Sequence, residues 1–361
     1  MKKKLFLLLL PFIITIIALV VTLIIYFPKT KIWLSIAIIL ASLIIEIPLS
    51  VILHEAGHLV FGLLTGYKLA QFRFLFITIT KEEKLKIKFS HMNLLALGQC
   101  VMYPPKYNKK KKPKFFLYNA GGLIFTYSLT LIGLLLMILI PNNFVKLIFI
   151  LLFVINLYFS LTNSVVTEGG YNDMCNFAIV KKTPEKLLDI LYSLEVTKNV
   201  LRNKGYSGKT TYPVYVEKPY DHIVFPVILF KIYGAFEKNN FEIANKYYEL
   251  LKKSSYTISH PLHRALSTLE IAYCDLVLAH NYKNFVRHFR GMDQIGLKIL
   301  EKAEPTLYDY YLILKDISEG KKSIIDKIDQ LDSENDLNDY DYKNLHNRLM
   351  LLEEELQRVE F

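Results

Sequence analysis

Residues 32–64 form a run of 33 residues in which only Glu46, His54, Glu55 and His58 are ionisable. About 20 apolar residues suffice for a helix to cross the hydrocarbon core of a bilayer, so this run argues against an ordinary soluble fold. Leu5–Phe27, Phe115–Ile140 and Phe144–Ser164 are runs of the same kind. Backbone polar groups in lipid must be satisfied within their own segment, which makes each run a helix. The sequence therefore predicts an α-helical membrane domain of about four transmembrane helices within residues 1–182. Pro48 removes a backbone donor inside the second run and favours a kink there.

Charge orients these spans. Lysine and arginine number 44 against 33 acidic residues, a net charge of +11. Much of the excess sits in MKKK and KYNKKKKPK, beside apolar runs, where it reads as a topology signal and a contact for anionic lipid head groups. That placement argues against nucleic acid as a partner. With both basic segments in the cytoplasm, four spans bring the N- and C-termini to the same side. The expectation is a multi-pass protein of a cell (plasma) membrane, and the Lys-, Ile- and Asn-rich composition suits a bacterium. Cys100, Cys175 and Cys274 form no CxxC pair and read as reduced thiols.

Between the second and third spans, residues 70–103 alternate apolar and polar residues on either side of KEEK. This predicts a β-hairpin lying at the membrane interface or lining a protein cavity. Residues 183–222 read as a helix, opened by Thr183 and Pro184, and a connector. Residues 223–361 alternate helical segments with turns at Asn239–Asn240, Asn281 and Gly320, about 40 residues apart. They predict a cytoplasmic all-α helical-hairpin domain that resembles tetratricopeptide-type arrays without their consensus. Such an array offers a surface to a protein or peptide partner; a simple helical bundle is the alternative.

The chemistry concentrates in HEAGH, residues 54–58. On a helix, His54 and His58 project from one face and can share one zinc ion. Glu55 lies at the flank, where a carboxylate can take a proton from metal-activated water. The bland alternative is a histidine pair hydrogen-bonded inside a helix bundle, but ionisable groups inside spans are costly and are usually functional. A third protein ligand is still required. LTNSVVTEGGYNDMCN, at the end of the fourth span, offers Glu168 and Asp173 on the side of the membrane that HEAGH faces. Glu46, two turns before His54, reads as an interhelical partner or a snorkelling side chain, with support of the site as the alternative.

Taken together, residues 30–185 resemble the site-2 protease family, the zinc intramembrane metalloproteases. The likeness rests on HExxH in a span, a hairpin after it, Gly121–Gly122 at the place of the family's Gly-Pro turn, and an Asn163…Asp173 segment. The resemblance implies one zinc per chain held by His54, His58 and Asp173, with Glu55 as the catalytic residue. It also implies a membrane-inserted segment or small precursor peptide as the substrate. Two features depart from the family pattern: Val166 stands where a proline is common, and Met174 rather than glycine follows the aspartate. Two further readings accompany this one: an inactive receptor or scaffold of the same fold, and a zinc peptidase using Glu168 as third ligand.

Overall fold

The computed structural model describes residues 2–26, 31–81, 85–89, 97–110, 113–166, 172–216, 223–255, 258, 260–303, 305–321, 324–334 and 340–358. Glu168 and most of the KEEK turn, Glu82–Lys84, lie outside the described residues. The chain divides into two compact units, Met1–Leu187 and Leu188–Phe361. This division falls five residues past the boundary expected at residue 182.

The first unit is built on α1 (Lys2–Tyr26), α2 (Ile32–Leu64), α3 (Phe115–Leu139) and α4 (Asn143–Ser164), followed by the short α5 (Asp173–Lys182). Among the described residues, α2, α3 and α4 are long and apolar enough to cross a membrane. The first expected span does form helix α1, but its described apolar stretch, Leu9–Ile25, is shorter. α2, α3 and α4 pack against one another, and α1 packs on α4. Their outward faces carry large apolar side chains such as Leu40, Ile44, Leu131 and Ile138, all exposed. Their inward faces carry, beside apolar residues such as Leu147 and Ile150, small and polar ones: Ser42, Glu46 and Ser50 on α2, Thr126 and Thr130 on α3, Asn156 and Ser160 on α4. A soluble bundle has the opposite arrangement, whereas small and hydroxyl residues at helix contacts are what membrane packing selects.

One of these contacts excludes a side chain at either end. A Cβ on Gly57 would lie 2.3 Å from the Gly121 carbonyl oxygen, and one on Gly121 would lie 2.4 Å from the Gly57 oxygen. α2 and α3 therefore touch backbone to backbone at this point. Gly121 and Gly122 lie inside the unbroken helix α3, so the expected turn at these residues is not present. Their smallness serves interhelical approach instead.

Between α2 and α3 the expected single hairpin is a four-stranded antiparallel sheet. Its strands are β1 (Lys68–Phe74), β2 (Ile77–Lys81), β3 (Leu85–Phe89) and β4 (Gly98–Tyr103), in the order β3-β2-β1-β4. The alternation around KEEK corresponds to the β2–β3 pair, with Ile79 opposite Ile87. β1 and β4 add the strands that cover α2, with a register shift between Leu69 and Gln71.

Helix α6 (Lys186–Leu201) opens across the boundary into the second unit, whose other described elements are all helices: α7 (Val224–Phe236), α8 (Phe241–Ser254), α9 (Pro261–Val277), α10 (Tyr282–Arg290), α11 (Gln294–Ala303), α12 (Pro305–Ser318), α13 (Ile325–Glu334) and α14 (Tyr340–Leu356). Asn240 and Asn281 cap α8 and α10 with their side chains, so the first two expected turns join α7 to α8 and α9 to α10. The third departs from the expected phase. α12 packs on α11 and α10, and α13 packs on α14, so Gly320 lies between hairpins. The short helix α11 accounts for the shift. Buried Arg348 of α14 donates from Nη2 to both carboxylate oxygens of Glu270 of α9, each at 2.8 Å, and stacks within 4.2 Å of the Tyr273 ring centre.

Candidate metal centre

HEAGH sits on the last three turns of α2, where helical geometry alone brings His54 and His58 to one face. Their Nε2 atoms are 3.3 Å apart. The third vertex comes from α5: Asp173 Oδ2 is 3.4 Å from His54 Nε2 and 3.3 Å from His58 Nε2. Among the described residues these three are the group of His, Cys, Asp and Glu side chains able to hold a metal ion. The side lengths are informative. Bonds of about 2.0–2.2 Å at tetrahedral angles imply ligand–ligand edges of about 3.3–3.6 Å. The triangle fits one tetrahedral ion with a fourth position open.

Electrostatics point the same way. Burial works against ionisation of Asp173, but the two imidazoles beside it hold its carboxyl down at about 2. His58 Nδ1 lies 3.1 Å from the Tyr118 carbonyl oxygen and must carry the proton that bond needs. Its Nε2 lone pair is then directed at the cluster, as in the outer-shell arrangement of metal-bound histidines. An anionic carboxylate and at least one bare imidazole nitrogen converge. A cation, either a proton or a metal ion in its place, completes them.

Supporting contacts place Asp173. Asn172 caps α5 by accepting from the Cys175 amide at 2.8 Å. Its own amide group donates to the Thr162 and Val165 carbonyls, 2.8 Å each, at the end of α4. Asn119 of α3 donates to the Asp173 carbonyl oxygen at 2.6 Å. Asp173 is thus fixed from both neighbouring spans at the first turn of its helix. Asn163, which the sequence aligned with a site segment, instead bonds back to the Phe159 carbonyl at 3.0 Å. No family model, curated protein or solved structure matches this chain. Its site is therefore read from its own geometry.

Glu55 lies beside the triangle and outside it. The Cys100 backbone amide donates to its carboxylate, and a Cβ on Gly98 would fall 3.0 Å from its Oε1. Tyr118 Oη in turn donates to the Cys100 carbonyl at 3.1 Å. The backbone of one residue on edge strand β4 thereby links α2 and α3 and holds Glu55 in place. Gly122 completes the floor. A Cβ there would lie 2.5 Å from His58 Nε2 and 2.6 Å from His54 Nε2.

Sequence reasoning brought together His54, Glu55, His58 and Asp173, and the structure clusters all four. It read Gly122 as part of a turn, and it missed Asn119, Asn172 and the β4 backbone. Asn172 had a local signal, since asparagine directly before Asp-Met-Cys suits a helix N-cap. The others had none, because their roles depend on contacts across the fold.

Proposed function

We propose that this chain is a membrane-embedded zinc endopeptidase resembling the site-2 proteases, acting on a peptide bond in or next to a membrane-inserted segment or small precursor peptide. The observation that carries the reading is the His54–His58–Asp173 triangle with a free-standing carboxylate, Glu55, at its flank. Two nitrogens and one carboxylate oxygen with an open fourth position form the ligand set of catalytic rather than structural zinc sites. Zinc held there supplies Lewis-acid activation of water and of a peptide carbonyl.

The remaining work falls to the protein. Glu55 takes the proton from the attacking water and returns it to the leaving amine when the carbon–nitrogen bond breaks. Its hydrogen bond from the Cys100 amide fixes the carboxylate beside the reacting atoms. His58 is oriented by the Tyr118 carbonyl, and Asp173 by Asn119 and Asn172. His58 and His54 lie six and ten residues from the end of α2, about 9 and 15 Å along the axis. In this reading the scissile bond lies below the membrane surface, on the side that the basic segments would mark as cytoplasmic. The helical unit from Leu188 onward is then a cytoplasmic domain suited to a peptide or protein partner.

The test is a comparison of wild type with Glu55→Gln, whose side chain is the same size and which leaves all three ligands intact. Membrane-protein fragments and small released peptides are compared by mass spectrometry, with metal content measured on the purified proteins. The expected result is equal metal content and loss of specific cleavage products. An unchanged fragment pattern refutes the protease; it leaves a metal-binding receptor or scaffold.

A further inference from the structure

Glu46 is 5% exposed, and neither of its carboxylate oxygens accepts a hydrogen bond from the protein. The contacts between helices fix its depth. Gly57 touches Gly121, and α2 and α3 are antiparallel, so eleven residues back from Gly57 is level with eleven forward from Gly121, near Gly133. Gly133 in turn meets Phe153 on α4, and Thr130 lies 3.5 Å from Ser160. Glu46, Ser50, Thr130, Asn156 and Ser160 therefore occupy one layer inside the three-helix bundle, and all are buried. Below it, Met137, Leu147, Ile150 and Val154 form a buried apolar cluster with Ile38 packed against it. That apolar cluster adjoins the layer on the side away from the metal centre.

Its unpartnered atoms are ordered along α2. Glu46, Ser50 and His54 stand at successive turns of one helix face. The Glu46 oxygens, Ser50 Oγ and His54 Nδ1 are all buried without a hydrogen-bond partner, as is Asn156 Oδ1 across the layer. The asymmetry with the other ligand is direct: His58 has an outer-shell partner in the Tyr118 carbonyl, and His54 has none from the protein. Buried polar groups in such number require a partner, and water fills that role where several converge. Among lysines and arginines, Lys146 is the one carried by α2, α3 or α4. It lies ten residues from Asn156, about 15 Å along the helix. Among the described residues of α2, α3 and α4, no lysine or arginine lies within that distance of the Glu46 layer as a countercharge.

We propose that Glu46 is a protonated positioning residue at the base of an internal water chain, which runs past Ser50 and supplies the outer-shell hydrogen bond of His54. The inference rests on the metal reading only in its last link. Infrared difference spectra of wild type against Glu46→Gln in lipid, recorded in H2O and D2O, test the chain itself. The expected result is a carboxylic acid carbonyl band that Glu46→Gln removes and that shifts promptly in D2O. Absence of the band shows an ionised or cation-bound Glu46 and overturns the proposal. A band that stays unshifted for hours shows a dry site and also overturns it. Zinc titration of Glu46→Gln and Ser50→Ala tests the link to His54, with about tenfold weaker binding expected from disturbing an outer-shell partner. Wild-type affinity in both variants overturns that link, whereas failure of wild type itself to bind zinc refutes the metal reading and leaves the infrared result standing.

Discussion

Gly122→Ala separates the metal centre from the fold more cleanly than removal of a ligand does. The added methyl carbon would lie 2.5 Å from His58 Nε2 and 2.6 Å from His54 Nε2, where ordinary contact begins near 3.4 Å. One or both imidazoles must retreat by 3.4 − 2.5, about 0.9 Å. Metal–ligand distances tolerate about 0.2 Å, so the displacement exceeds the allowance several-fold. The atoms that must move are the ends of side chains, so the helices can stay where they are. Gly121→Ala provides the contrast, because its clash at 2.4 Å is with the Gly57 backbone and can be relieved only by separating α2 from α3. The assay is elemental analysis and zinc titration of detergent-purified protein, with thermal unfolding alongside. Gly122→Ala is expected to weaken zinc binding at least as much as the ~10–100-fold typical of outer-shell changes, at near wild-type metal-free stability. Gly121→Ala is expected to lower stability itself. Retention of wild-type zinc affinity by Gly122→Ala refutes the placement of the ion between the two imidazoles.

Other outcomes follow from single contacts. Asn172→Ala removes the cap of α5 and the tether to α4; a stability loss of about 1 kcal/mol and weaker zinc binding are expected, read by thermal unfolding and metal titration. Arg348→Ala leaves Glu270 buried without its cationic partner, which costs about 3–5 kcal/mol and shows as early unfolding or proteolysis of the helical unit. Asp293 caps α11 through the Gly296 and Ile295 amides and pairs with Arg264; chiefly because of the Gly296 bond, its carboxyl titrates below its ordinary value of 3.8. Its folded value is depressed, so its contribution is fully present above 3.8 and is lost as pH falls through the lowered value. Asp293→Asn should flatten the acid limb of the stability profile in that window.

The sequence by itself determined what helical periodicity and transfer energetics determine. Apolar runs of bilayer length became α2, α3 and α4, and the i, i+4 spacing of His54 and His58 set two ligands on one face with no help from the rest of the chain. Asp173 was legible as one of two carboxylates near the end of a span. Its position against the histidines was not, because that depends on α5 being pinned by Asn172 to α4 and by Asn119 to α3. Gly121 and Gly122 read as a turn, since glycine marks both chain reversal and close approach; only the packing of α2 on α3 distinguishes them. Residues 70–103 read as β structure, but not as four strands: the order β3-β2-β1-β4 and the hold of edge strand β4 on Glu55 through its backbone leave no side-chain signature. The tertiary structure decided the site's completeness, because a metal centre needs atoms placed to tenths of an ångström by contacts far apart in the chain.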